Sequence, residues 1–140
     1  MKILIKKLNP AAITPAYAHP GDAGLDLYSL DEYELKPGER RFFYLGFALE
    51  FPTGYVATVK DKSSLPKNGG LHTMGGVFDA GFSGEYNVLL VNLSDTPYKI
   101  LKGDKIAQLV ILPVAQAELE EIEKLSETSR GTGQFGSTGR

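Results

Sequence analysis

The sequence predicts an all-β domain with at most one short helix. Three features carry this expectation: short runs of β-branched and aromatic residues, Gly/Pro turn signals between them, and almost no helical periodicity. Lys2–Lys7 alternates, with Ile3 and Ile5 on one face. Tyr55–Lys60 alternates Tyr, Ala, Val against Val, Thr, Lys. Tyr86–Asn92 and Lys105–Leu112 are largely apolar, as buried strands are. Turn signals fall at Pro20-Gly21-Asp22, Pro37-Gly38, Pro52-Thr53-Gly54, Gly69-Gly70, Ser83-Gly84 and Lys102-Gly103-Asp104. Many short strands so punctuated predict a sandwich, jelly roll or barrel. Ser63–Asn68 can form one helical turn, limited by Pro66. Ala117–Leu125 has Leu119, Ile122 and Leu125 at helical spacing but reads equally as a strand.

One domain over residues 1–129 is expected, followed by a tail over 130–140. The tail (RGTGQFGSTGR) cannot bury enough apolar surface to hold itself down, so it is expected to be mobile.

Composition narrows the function. The net charge of −2 provides no basic field, so nucleic acid is not an expected partner. An anionic ligand would need local donors or a bound cation. Cysteine is absent, which removes disulfides and thiolate metal sites and fits a reducing compartment. His19 and His72 are the only histidines, with no ligand cluster around them, so structural zinc is not expected. No run is long and apolar enough for a signal peptide or a membrane span. A cytoplasmic protein with no membrane partner is expected.

Five segments carry candidate chemistry. In the tail, Arg130 offers a planar fork for phosphate oxygens and Phe135 a face for a base. Gly136 and its neighbouring glycines let backbone N–H groups approach an anion, and Ser137 and Thr138 add hydroxyls. A frayed terminus without a role is the alternative. A Walker P-loop is excluded, because no Gly-Lys-Ser/Thr follows. Lys62-Ser63-Ser64-Leu65 ends the Tyr55–Lys60 strand. It either cradles a phosphate or caps a helix through Ser63 or Ser64. Asp79 sits in a Gly-rich hairpin beside Phe78 and Phe82, as a general base or as a turn organiser. Asp26 points away from the Leu25/Leu27 face, as a solvated residue or as a carboxylate near a cation. Gln108 is a polar residue inside an apolar run and needs a partner in protein or ligand.

The order of these pieces is more informative than any one of them. AGLDL, KSSL, GVFDAGFSGE, GDKIAQL and RGTGQFGSTG, in that order over about residues 20–140, resemble the ordered motifs of the trimeric dUTPase family. The resemblance implies a distorted jelly roll that assembles as a homotrimer. Each active site would be shared between subunits, with the tail lent by a neighbour. It implies hydrolysis of dUTP to dUMP and pyrophosphate with Mg²⁺ as cofactor. That reaction limits uracil incorporation into DNA and supplies dUMP for dTMP synthesis.

Roles follow motif by motif. Asp79 matches the base that activates water, and Asp26 the residue that holds magnesium through bound water. Lys62, Ser63, Ser64 and Gln108 match phosphate contacts. Thr73 and the Val77–Asp79 backbone fall where a β-hairpin reads uracil, and Phe82 where a ring packs on deoxyribose. Arg130 matches the tail arginine that meets the phosphates. Phe135 would cap uracil, with Gly136 beside it, and Ser137 and Thr138 would hold the γ-phosphate.

This chain departs from the family pattern at four positions. Lys62 stands where arginine is usual and loses the bidentate fork. Phe82 replaces tyrosine and cannot donate a hydroxyl. Thr73 stands where asparagine is common, and Gln134 interrupts the Gly-Gly-Phe of the tail.

Two other readings compete. A dCTP deaminase would carry a glutamate where this chain has Leu89, which cannot shuttle protons. A binding-only module would have no need of Asp79.

Overall fold

The computed structural model describes residues 1–134 and 139. Among them are eleven strands and one helix. The strands are β1 (Leu4–Lys7), β2 (Gly24–Tyr28), β3 (Tyr33–Leu35), β4 (Arg40–Tyr44), β5 (Phe47–Glu50) and β6 (Tyr55–Lys60). After the helix α1 (Ser64–Gly69) come β7 (Leu71–Met74), β8 (Val77–Asp79), β9 (Asn87–Asn92), β10 (Tyr98–Ile100) and β11 (Lys105–Pro113). The all-β class expected from the sequence is the class observed. No helix among the described residues is long and apolar enough to cross a membrane.

All pairings are antiparallel. One sheet runs β2-β11-β6-β8 and a second runs β4-β9-β7. β1 pairs with β5, and β3 with β10. The core lies between the inner faces. Alternation along β9 buries Val88, Leu90 and Asn92, and alternation along β6 buries Ala57 and Val59. Leu27, Phe43, Phe47, Ile106 and Leu109 complete the packing, each less than 2% exposed.

A β-bulge in β11 sets the register that matters for the site. Between Lys105 and Ala107 the pairing to β2 shifts by one residue. Both Ile106 and Ala107 are then buried, and Gln108 is placed directly opposite Asp26. Gly24 leaves the room this needs, since a Cβ there would lie 2.2 Å from Gln108 Oε1.

The helix is longer than one turn limited by Pro66. Pro66 is its third residue, where the N–H has no intrahelical partner to lose, so proline is tolerated. Gly70 ends it at φ 62°, the left-handed conformation that favours glycine.

Two sequence expectations are corrected. The Gly-rich segment around Asp79 is not a hairpin of paired strands. β7 pairs with β9 and β8 with β6, so Gly75-Gly76 carries the chain from one sheet to the other. Ala117–Leu125 is neither helix nor strand, and Leu119 and Leu125 stay exposed, because nothing among the described residues covers them. β1 is exposed along its whole length and is held by backbone pairing to β5.

Tyr86 stacks on Phe78 at 4.3 Å and on Phe47 at 5.7 Å between ring centroids. Its hydroxyl is buried without a hydrogen-bond partner among the described residues, and burial pushes the phenol up to about 12. Removing a buried donor that has no partner relieves a desolvation cost. Tyr86→Phe is therefore expected to stabilise the protein by about 1 kcal/mol, read as a higher urea midpoint. A lower midpoint would mean that the hydroxyl has a partner after all.

Candidate active site

The register of β2, β11 and β6 gathers one group of residues. Asp26, Gln108 and Lys60 stand in a row across three strands, on the face opposite Leu25 and Leu27. Alternation does turn Asp26 away from those leucines, but it is not solvated there. It is 5% exposed, and Lys62 Nζ lies 2.9 Å from its Oδ1. Lys105 Nζ lies 2.6 Å from Oδ2, a second ion pair on the same carboxylate. The solvated reading of Asp26 is thus corrected: two ammonium groups cover its carboxylate.

Burial by itself pushes the Asp26 carboxyl up. Lys105 and Lys62 outweigh that and hold it below the ordinary aspartate value. Contact with Asp26 in turn raises Lys105.

The chain leaves β6 through Asp61, Lys62 and Ser63 and enters α1. Ser63 occupies the N-cap position with helical φ and ψ and makes no capping bond. Its hydroxyl is not spent on the helix, so the capping alternative is not the one found. A cleft of about 440 Å³ opens here, bounded by Lys62, Ser64, Tyr98, Gly103 and Lys105. Gln108 donates from Nε2 to the Asp61 carbonyl at 2.8 Å, so its first partner is protein.

Sequence reasoning passed over Asp61. Its Oδ1 accepts the Thr73 backbone N–H at 2.6 Å, and its Oδ2 lies 2.7 Å from His72 Nδ1. Burial raises this carboxyl, while His72 and the Thr73 N–H lower it further, for a net shift downward. A Lys-Asp-Lys run leaving a strand reads as a solvated turn, and only tertiary pairing reveals the role. Lys105 was quoted within GDKIAQL without a role of its own.

The depressed carboxyls carry a stability consequence. Folded-state values below the unfolded value of about 3.9 give stability that is complete above it and lost as pH falls through the folded value. Acid should therefore destabilise the protein progressively below about pH 4, and Asp26→Asn should flatten that dependence. Thermal melts between neutral and acid pH check it, and an unchanged slope would contradict it.

A second group lies elsewhere. Asp79 ends β8, is exposed, and stands opposite Val56. Its carbonyl accepts the Phe82 N–H at 3.0 Å. Phe82 is partly exposed and leans on Phe78 and Tyr86. It folds over Gly84, where a Cβ would come within 2.6 Å of the ring. Val77 is exposed, whereas Thr73 is buried. Asp79 is three strand spacings across from Asp26 and four residues along. At about 4.8 Å per spacing and 3.3 Å per residue the separation is roughly 19 Å. One chain does not bring these two carboxylates together.

Arg130 is exposed, and its Nε donates to the Gly133 carbonyl at 3.2 Å. Phe135, Gly136, Ser137 and Thr138 lie outside the described residues. Among the described residues no three His, Asp or Glu side chains group to hold a metal.

Antiparallel sheets around one core, with a buried carboxylate between two lysines beside an open cleft, define an all-β jelly-roll protein. The family profile for dUTPase matches residues 11–139, a span that includes the tail. A deoxyuridine 5'-triphosphate nucleotidohydrolase of Nautilia profundicola is 44% identical over the full length of both chains. One of Clostridium novyi is 41% identical over 99% of each. Among solved structures, a mutant dUTPase of Staphylococcus bacteriophage 80alpha with dUpNHpp superposes with a TM-score of 0.93 at 29% identity, covering 99% of each chain. A mutant dUTPase of phage phi11, described for its structural Mg(II) ion, gives 0.84 at 25% identity over 91% of this chain and all of that one. The chain belongs to the dUTPase family and is an enzyme of that family.

Proposed function

We propose that the protein hydrolyses dUTP to dUMP and pyrophosphate at a site shared between subunits of a homotrimer. The observation that carries this reading is the row of Asp26 and Gln108 beside Lys62 and the Ser63-Ser64 turn, in a chain matched to the dUTPase profile over 129 of its 140 residues, 11 to 139 inclusive.

Lys62, Ser63, Ser64 and Gln108 bind and align the triphosphate. Asp79 accepts a proton from a water molecule, which attacks the α-phosphorus. The bond from that phosphorus to the bridging oxygen breaks, and pyrophosphate leaves with the electron pair. Thr73 and the Val77–Asp79 backbone read uracil, and Phe82 packs on deoxyribose. A mismatched base would leave buried polar groups unpaired. Arg130 adds charge at the phosphates. Phe135 closes over the base, Gly136 gives close approach, and Ser137 and Thr138 hold the γ-phosphate, so the closed tail excludes water.

Asp26 fits a supporting role for Mg²⁺. It is an ionised carboxylate held beside the cleft by Lys62 and Lys105, and it would hold the metal through bound water. Bound there, Mg²⁺ would supply positive charge across the phosphate oxygens.

Two observations support assembly. Asp79 is remote from Asp26 within one chain, so a neighbour must supply one of them. The outer face of the second sheet also carries an apolar row of Phe42, Leu89 and Met74, with Phe42 49% exposed. Leu89 in that row offers no group for deamination. The reaction would limit uracil in DNA and supply dUMP, in the cytoplasm.

Pyrophosphate release from dUTP, dCTP, dTTP and UTP, with and without Mg²⁺, tests the reading. Turnover of dUTP alone, dependent on the metal, is expected. Ammonia release from dCTP, or no turnover of any nucleotide, would contradict it.

A further inference from the structure

We propose that Asp61 is a positioning residue that ties the uracil-reading strand to the phosphate-binding turn and thereby sets base selectivity. The proposal rests on the dUTP reading above and deepens it.

Asp61 stands between the end of β6 and Lys62, where the chain turns into α1. Three hydrogen-bonding contacts leave it in two directions. Its backbone carbonyl accepts Gln108 Nε2 at 2.8 Å, on the phosphate side. Its Oδ1 accepts the Thr73 N–H at 2.6 Å, and its Oδ2 meets His72 Nδ1 at 2.7 Å, on the base side. The carboxylate is about one-quarter exposed, so these contacts are partly shielded from water.

Strand geometry explains why the contact matters. β7 is an edge strand of its sheet and, among the described residues, pairs only with β9. Asp61 takes the Thr73 N–H from that edge, and so joins one sheet to the end of a strand in the other. Two residues later Gly75-Gly76 crosses between the sheets, and Val77–Asp79 follows. The remaining ties of this stretch to β6 are the Val59 N–H to the Gly76 carbonyl at 2.7 Å and the short β6–β8 ladder. Releasing Asp61 would leave Thr73 free to shift relative to Lys62 while the rest of the fold stands.

Purified Asp61→Ala, Asp61→Asn and His72→Ala proteins, assayed beside the wild type with dUTP and dCTP, test this. Asp61→Ala is expected to raise KM for dUTP by about tenfold and to narrow the preference for dUTP over dCTP by a similar factor, with a smaller fall in kcat. Asp61→Asn keeps an acceptor oxygen for the Thr73 N–H and is expected to recover most of both losses. His72→Ala frees one oxygen and should shift KM in the same direction by less. A lowered melting temperature with wild-type KM and base preference in the Ala variants would overturn the proposal and leave Asp61 a structural residue. Should Asp61→Ala not fold, wild-type KM and base preference in His72→Ala, which frees one of the two carboxylate oxygens, would overturn it. A wild type that fails to hydrolyse dUTP would instead refute the functional reading.

Discussion

Asp79→Asn should fold, bind nucleotide and hydrolyse dUTP at least about 10²-fold more slowly than the wild type. The carboxylate of Asp79 is exposed, and β8 is held through its backbone to β6, so the fold does not depend on the side chain. Asparagine has nearly the same shape and keeps an acceptor, so contacts to the nucleotide survive. What it cannot do is accept a proton near neutral pH. The loss should therefore fall on kcat, with KM little changed, which is the pattern of an interaction made only in the transition state. Steady-state kinetics with isothermal titration of a non-hydrolysable analogue separates the two. Wild-type kcat would remove Asp79 from the base role.

Ending the chain at Ser129 is the second change with a large expected effect. Described tail residues bond only to one another and to Thr128, so the β domain should melt as the full chain does. The loss of Arg130 and of the donors beyond it should lower kcat by about 10²-fold or more, the scale of removing one or two donors aimed at developing charge. The dUTPase profile runs through this segment to residue 139. Loss of activity with an unchanged melting temperature is the expected pair of results. Full activity would take the tail out of the mechanism.

Much of the fold was legible because its signals are local. Tyr55–Lys60 alternates over the residues that form β6, and Gly21, Gly38, Gly54, Gly70 and Gly103 all adopt positive φ where turns were expected. The short strands β3, β4, β5 and β10 were not anticipated, since their burial depends on partners far along the chain. The passage of residues 71–79 from one sheet to the other was equally hidden, because two strands joined by two residues look like a hairpin from sequence.

The site divides in the same way. Lys62, Ser64 and Gln108 could be picked out by type and place. The burial of Asp26 could not, because it requires Lys62, 36 residues away, and Lys105 on another strand. Asp61 escaped notice since a carboxylate between two lysines reads as a solvated turn until Thr73 and His72 are placed beside it.

Mixing two inactive variants tests the shared site most directly. Asp79→Asn and the chain ending at Ser129, denatured and refolded together, should regain dUTP hydrolysis that neither has alone. In mixed assemblies some sites draw Asp79 from one subunit and the tail from another. Recovery of a substantial part of the wild-type rate is the predicted result. Mixed assemblies as inactive as either parent would mean that each chain must furnish its own base and tail, contrary to a site divided among subunits.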